Sequence, residues 1–519
     1  MPIHFLPYGT PLLLIAAAAI SAFGPQHRPS SRLKGVEALA FLAFAVAVLS
    51  TAVLVVMGPG TGALQTPGGL GISVRVDVVS MSLLMLVAFI GWIVVRFSRV
   101  YLDGEARQGA FMAWLCTTLA MVTLLVSAGD LIQLVLAWIA TSLGLQRLLL
   151  FYPDRAWAQR AAHKKFVTAR VADLALIAAA VALATTYRTT DIATILGAAR
   201  AGEGGSLAVA AAGFLALAAL LKSAQFPLHG WLTEVMEAPT PVSALLHAGV
   251  INAGGFVLIR FADVMLLAPG VLAVLVIIGG FTALFGGLVM LTQPAVKTSL
   301  AWSTVAQMGF MIMQCGLALF PLALLHIIAH SLYKAHSFLA SGGAVERIAA
   351  FKRPGLVAIP GLGAVARAFL AAIALYAAIG WIAGIQHKSP QAIALGAILI
   401  FGVAYLLAQG LADSAPRALT RRLGVYSIAA SIGYFTLHGL SFWLTGGSLP
   451  PTPAPGPLEW ALVVLAVLSF GLVAFAQALF PLWAYHPAAA GLRVHLSNGL
   501  YANALFDRWL GGWNTRKMP

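Results

Sequence analysis

About fifteen apolar stretches, each long enough to cross a bilayer of roughly 30 Å, follow one another along the chain. They fall at approximately 5–23, 36–57, 78–97, 109–127, 130–151, 166–187, 206–226, 241–262, 265–290, 298–316, 320–342, 360–384, 390–411, 422–445 and 457–482. Lipid offers the backbone no hydrogen bonds, so segments of this kind must satisfy their amides within helices. The expected fold is an all-α polytopic membrane protein with about fifteen transmembrane helices and no soluble domain. Composition agrees: 519 residues that are 61% hydrophobic and 9% charged, with a mean hydropathy of +0.93, exclude a soluble globular chain.

The net charge of +15 reports topology rather than a polyanionic partner. Alternate loops (24–35, 96–108, 152–165, 227–240, 291–297, 343–355, 412–423) and the tail hold 21 of the 31 Lys and Arg. The loops between them hold only Arg75, Arg188, Arg200 and Lys388. The positive-inside rule then predicts an N-terminus outside and a cytoplasmic C-terminus. Cys116 and Cys315 fall inside apolar stretches, as small apolar residues rather than a disulfide. The first stretch lacks a basic leader and a small-residue cleavage site, and is expected to be retained. The Pro-rich run 450–457 reads as an outside connector. In the tail from about 484, Leu492, Val494, Leu496, Leu500, Leu505, Phe506 and Leu510 give an amphipathic helix on the cytoplasmic face or on a partner.

Ionisable residues within apolar stretches cost at least about 2.5–3.5 kcal/mol each and point to an ion path. Lys222 precedes Pro227, which lacks an N–H and collides with the Ser223 carbonyl, so this break must face protein or water. His326, His330 and Lys334 are four apart and form one polar stripe, and imidazoles with a pKa near 6.5 suit proton relay. The same His spacing also fits a metal site or interhelical packing. No Glu stands in an H-E-x-x-H arrangement and no third ligand is evident, which favours the relay. His247 falls inside the next stretch, either succeeding Lys222 along the midplane or packing. Glu234 and Glu237 in the preceding loop can deliver protons or cap that helix. Asp173, three residues after Arg170, either pairs with it or serves the path. There is no phosphate loop, dinucleotide fingerprint or paired C-x-x-C, so no cofactor is expected in this chain.

These residues lie in a recognisable context. LKSAQFPLHGWLTEVMEAPTPVSALLHAGVINAGGFVLIR (221–260) closely resembles the signature of the antiporter-like subunits of respiratory complex I and of multisubunit sodium/proton antiporters. The run AVKTSLAWSTVAQMG (295–309), which contains Lys297, the helix with His326, His330 and Lys334, and the segment 161–173 resemble further motifs of that family. The resemblance spans about 73–345. It implies Lys222 as the lysine of a central proton path, with His247, His326 and His330 following. It also implies two inverted five-helix repeats, each with a broken helix. The expected division is residues 1–108, a first repeat at 109–262, a second at 263–411, C-terminal helices at 412–483 and the tail at 484–519.

Two departures stand out. The family's large members carry Trp-Glu-Gly in the fifth helix, whereas here Ile139 follows Trp138, and Asp173 is the candidate counter-ion instead. The family's lysine in the twelfth helix is also missing, with only Arg367 nearby. These features, with FYPDR (151–155), the segment 492–501 and the early stop, resemble the DabB membrane subunits of two-component inorganic carbon pumps. That resemblance implies a large zinc-bearing, carbonic-anhydrase-like DabA partner on the cytoplasmic side. It further implies proton or sodium flow energising CO₂ hydration to bicarbonate. A respiratory or multisubunit antiporter subunit is the alternative, and a scaffold with a degenerate channel is a third.

Overall fold

The computed structural model describes residues 2–64, 72–343, 360–411, 416–483 and 485–509. Twelve spans among them are long and apolar enough to cross a membrane. In chain order the helices are α1 (Gly9–Ala22), α2 (Ser30–Met57), α3 (Val78–Tyr101), α4 (Gln108–Val126), α5 (Leu131–Leu149), α6 (Ala156–Tyr187), α7 (Ile192–Arg200), α8 (Ser206–Lys222), α9 (Gly230–Thr233), α10 (Thr240–Ala248) and α11 (Ala253–Arg260). They continue as α12 (Ala262–Leu266), α13 (Pro269–Met290), α14 (Val296–Gly316), α15 (Phe320–Leu339), α16 (Leu362–Ile382), α17 (Pro390–Gly410), α18 (Arg417–Thr445), α19 (Pro457–Ala478), α20 (Phe480–Trp483), α21 (Pro487–Ser497) and α22 (Ala502–Trp509). Helices α8, α14 and α15 occupy three expected stretches but are shorter or more polar than the twelve. Most of the basic loop at 343–355, the start of that at 412–423 and the tail from Leu510 lie outside the described residues.

The expectation of an all-helical chain needs one correction. Strands β1 (Gly60–Leu64) and β2 (Ile72–Val76) form an antiparallel hairpin with Gly60 opposite Val76 and Leu64 opposite Ile72. Five residues are too few to cross a bilayer as a strand. The β-branched Val74 and Val76 bury against the bundle, which fits a pleated, half-buried ribbon. On the same face, opposite the basic loops, three aspartates cap helices. Asp77, Asp130 and Asp191 accept from the amides of Ser80 (2.8 Å), Ile132 (2.7 Å) and Thr194 (2.8 Å).

Two interruptions fall in the region 109–262. Helix α8 stops at Lys222, earlier than Pro227 alone would require, and the chain turns at Ala224, whose φ is +50°. The stretch 241–262 is also not one helix. It breaks after Ala248, passes through a single tight turn at Val250–Asn252, and resumes as α11. In the region 263–411 the described helices α13 to α17 run without a break. Their prolines, Pro269, Pro321 and Pro390, stand in first turns, where a missing N–H costs nothing. The break expected there is therefore absent among the described residues. One continuous apolar core joins α1 to α15, and smaller clusters hold α16 to α19, one of them reaching α13–α15.

Candidate ion-translocation site

Lys222 is buried at the end of α8, where an uncompensated ammonium would be costly. Two residues one turn apart on α5 receive it. Its Nζ donates to Ser142 Oγ at 2.5 Å and lies 4.4 Å from the centre of the Trp138 ring. A second buried lysine, Lys165 on α6, donates to the backbone carbonyl of the same Ser142. Asp173, also buried, is ion-paired with Arg170 at 2.7 Å. Asp173, the expected counter-ion, is not bonded to Lys222, whose contacts are Ser142 and Trp138.

The helix break after Ala248 organises the next group. A helix leaves its last carbonyls without backbone partners. Here the carbonyl of His247 accepts from His330 Nε2 at 3.1 Å, and that of Ala248 accepts from Asn252 Nδ2 at 3.1 Å. Asn252 also donates to Ser331 Oγ at 2.9 Å, tying the break to α15.

Hydrogen-bond accounting fixes the imidazoles. Thr304 Oγ1 donates to the Leu300 carbonyl at 3.0 Å, so it can only accept from His247 Nδ1, 3.0 Å away. His247 Nε2 is then an acceptor, and it is buried without a partner. His326 Nδ1 faces Gln314 Oε1 at 2.8 Å, again leaving a buried Nε2 open. The rings of His326 and His330 are 6.0 Å apart. Lys334 completes the stripe by donating to the Leu300 carbonyl at 3.1 Å. A cavity of about 30 Å³ at the break is lined in part by Thr141, Asn252 and Ser331. A smaller one of about 10 Å³ touches Lys165 and Lys222. One water needs roughly 10–15 Å³, so the larger cavity has room for water and the smaller is at the limit for one.

Glu234 and Glu237 part company. Glu234 accepts from Lys164 Nζ at 2.6 Å and bonds Asn503 of α22. Asp507, also on α22 and buried, pairs with Lys164 and Arg160. The tail helix is thus seated on this chain's own α6 and Glu234. Glu237 instead pairs with Arg155 at 3.1 Å with both side chains about half exposed. Lys297, half-buried in the first turn of α14, joins none of these groups. Sequence reasoning did not single out Ser142, Lys165, Asn252, Asn503 or Asp507, and it met Lys164 and Thr304 only as members of the family motifs. The signal for Lys164 and Lys165 was present, because two adjacent lysines precede an apolar stretch that continues the same helix. Among the described residues no three His, Cys, Asp or Glu side chains gather as a metal site would need.

The NADH:quinone oxidoreductase/Mrp antiporter transmembrane family model matches residues 128–378. The probable inorganic carbon transporter subunit DabB2 of Halothiobacillus neapolitanus is 37% identical over 96% of this chain and 91% of that protein. The chain belongs to the DabB family of inorganic carbon transporter subunits. Another DabB, from Hydrogenovibrio crunogenus, is 47% identical over 53% of each chain. The NADH-quinone oxidoreductase subunit L of Mycobacterium tuberculosis is 31% identical over 80% of this chain and 64% of that one. In fold, the chain resembles a subunit of the Mrp complex from Dietzia sp. DQ12-45-1b, with a TM-score of 0.64 over 97% of this chain and 59% of that one at 21% identity. This DabB-family chain is a multi-pass membrane protein.

Proposed function

We propose that this chain conducts protons as the membrane subunit of a two-component inorganic carbon uptake complex. Its partner would be a large DabA-like zinc protein on the cytoplasmic side, where the flow drives CO₂ hydration to bicarbonate. In this reading the chain crosses the membrane about fifteen times, with the N-terminus outside, the C-terminus cytoplasmic and helices α4–α11 and α13–α17 forming two inverted repeats. It performs transport, and the covalent chemistry belongs to the partner.

One observation carries the proposal: His247 and His326 each have one ring nitrogen committed to a hydrogen bond and the other buried and free to accept a proton. A proton taken at Nε2 gives an imidazolium held in place through Nδ1, and its release from Nε2 to a water or the next base returns the ring to neutral. At the far end, Lys222 and Lys165 share Ser142. Like charges this close repel, so a proton arriving at one drives release from the other. One charge crossing about 100 mV yields roughly 2.3 kcal/mol, enough to bias hydration by more than tenfold.

The test pairs two measurements. The complex purified in mild detergent is expected to contain a single large zinc-bearing partner, and Lys222→Ala is expected to assemble normally while abolishing carbon accumulation and proton flux in vesicles. Normal uptake by that variant would refute conduction through Lys222. Copurifying small antiporter subunits, or flavin and iron–sulfur proteins, would assign the chain to an antiporter or respiratory complex. Flux that follows a sodium gradient instead would change the ion.

A further inference from the structure

The segment from the end of α8 into α9 holds polar atoms that the relay above does not use. Four are buried without a protein partner: Gln225 Oε1, both ring nitrogens of His229 and Trp231 Nε1. Folded proteins leave few such atoms, and those in polar sites are satisfied by ordered water. Four within seven residues form a cluster of uncommitted polar atoms.

The cluster adjoins two charged stations. Trp231 lines the cavity that touches Lys165 and Lys222. His229 is within electrostatic reach of Lys164, the partner of Glu234. The ring of His229 is fully buried and caged by Trp302, Phe285 and Phe226, with centroids 4.9, 5.5 and 5.8 Å away. None of these rings occupies its nitrogens, so a titratable group stands uncommitted on the line from Lys222 to Glu234.

The C-terminal segment covers that line. Gly499 has φ +58°, a conformation that favours glycine, and a Cβ there would come within 3.2 Å of Trp302 and 3.9 Å of His229 Nε2. At Gly230, next to His229, the Asn503 carboxamide fills the space a side chain would need. Asn503 and Asp507 then clamp the segment to Glu234, Lys164 and Arg160.

We propose that His229 is the proton-exchange residue between Lys222 and the mouth at Glu234, and that residues 499–509 are the seal set over it. This rests on the conduction reading. A proton from the Lys222 side, carried by water, binds one nitrogen of His229. The proton on the other nitrogen passes to the Glu234 carboxylate and then to bulk water, so the imidazole ends neutral. Release of the seal would set how readily that last transfer occurs.

The experiment uses the full chain with its copurified partner in vesicles. His229→Gln keeps size and polarity but cannot be protonated, and is expected to lower proton flux at least about tenfold with unchanged assembly. Independently, His229→Cys is expected to react slowly with a membrane-impermeant maleimide and at least about fivefold faster when Asp507→Ala is added. Cys116 and Cys315 are buried and give little background. Normal flux in His229→Gln, with Lys222→Ala inactive, would overturn the role of His229 and leave conduction standing. Equal labelling with and without Asp507→Ala would overturn the seal. If Lys222→Ala also conducts normally, the conduction reading itself fails.

Discussion

The bundle α4–α11, together with the seam it shares with α15, and the flank α16–α19 are built from equally apolar helices but treat charge in opposite ways. The bundle buries Lys164, Lys165, Lys222, Arg260 and Lys334, and both of its breaks expose backbone carbonyls to side-chain donors. The described helices of the flank are unbroken, and their buried polar groups, such as Ser427, Ser431 and Ser441, are neutral. Arg367, the one basic residue of α16, is exposed. The polar stripe of α15 faces the bundle through His330, Ser331 and Lys334. Broken helices and buried charge therefore share one part of the fold, with the break carbonyls taken by His330 and Asn252 and the buried cations held by Ser142, the Leu300 carbonyl, Glu234, Asp507 and Asp77.

That contrast can be broken most forcefully at Asp77. Its carboxylate accepts from Arg260 Nη1 at 2.6 Å and Nη2 at 3.2 Å and from Arg75 Nε at 2.5 Å, closing the far end of the broken helix. Asp77→Asn leaves buried guanidinium charge uncompensated and is expected to cost about 3–5 kcal/mol, read as a lowered unfolding midpoint in detergent. A smaller penalty would mean that water already reaches this cluster. Lys165→Met is expected next, lowering proton flux at least about 100-fold, or roughly 2.7 kcal/mol of barrier, with assembly intact. Near-normal flux would show that Lys222 works alone and that the shared Ser142 is incidental. His247→Gln and His326→Gln are each expected to lose about tenfold. The double variant should lose less than the product, because the two rings serve one line.

Much of the bundle was legible in the sequence. Lys222, His247, His326, His330 and Lys334 stand out because a titratable residue in an apolar run has a known and large cost. Ser142, Thr304 and Asn252 do not, since small neutral polar residues are common in helices and only tertiary packing decides what they face. Lys164 and Lys165 read as loop residues because the apolar stretch begins after them, whereas α6 extends back to Ala156 as one helix of 32 residues. Asp507 was invisible for a different reason: its partners are more than 340 residues away in sequence, and no periodicity reports such a pairing. The hairpin was missed because five-residue strands vanish among twenty-residue signals. The breaks were half legible, with Pro227 announcing the first and nothing but Gly249 marking the second.

The smallest effect is expected in the flank, and it tests the contrast from the other side. His438 on α18 is buried, stacks on Phe442 with centroids 4.8 Å apart, and faces Tyr434 OH at 3.3 Å. The tyrosine hydroxyl is directed at the Ala392 carbonyl at 3.4 Å, so it accepts from His438 Nδ1 and the imidazole is held in one tautomer. Unlike His247, this histidine adjoins no helix break, and the side chain it faces is a neutral phenol. His438→Leu is therefore expected to change proton flux by less than about twofold while costing about 1 kcal/mol of stability from the lost hydrogen bond. A loss of tenfold or more in flux would instead give the flank an ionisable station of its own. It would place on α18 the role that the absent lysine of α16 leaves open, and the separation of charged bundle from neutral flank would fail.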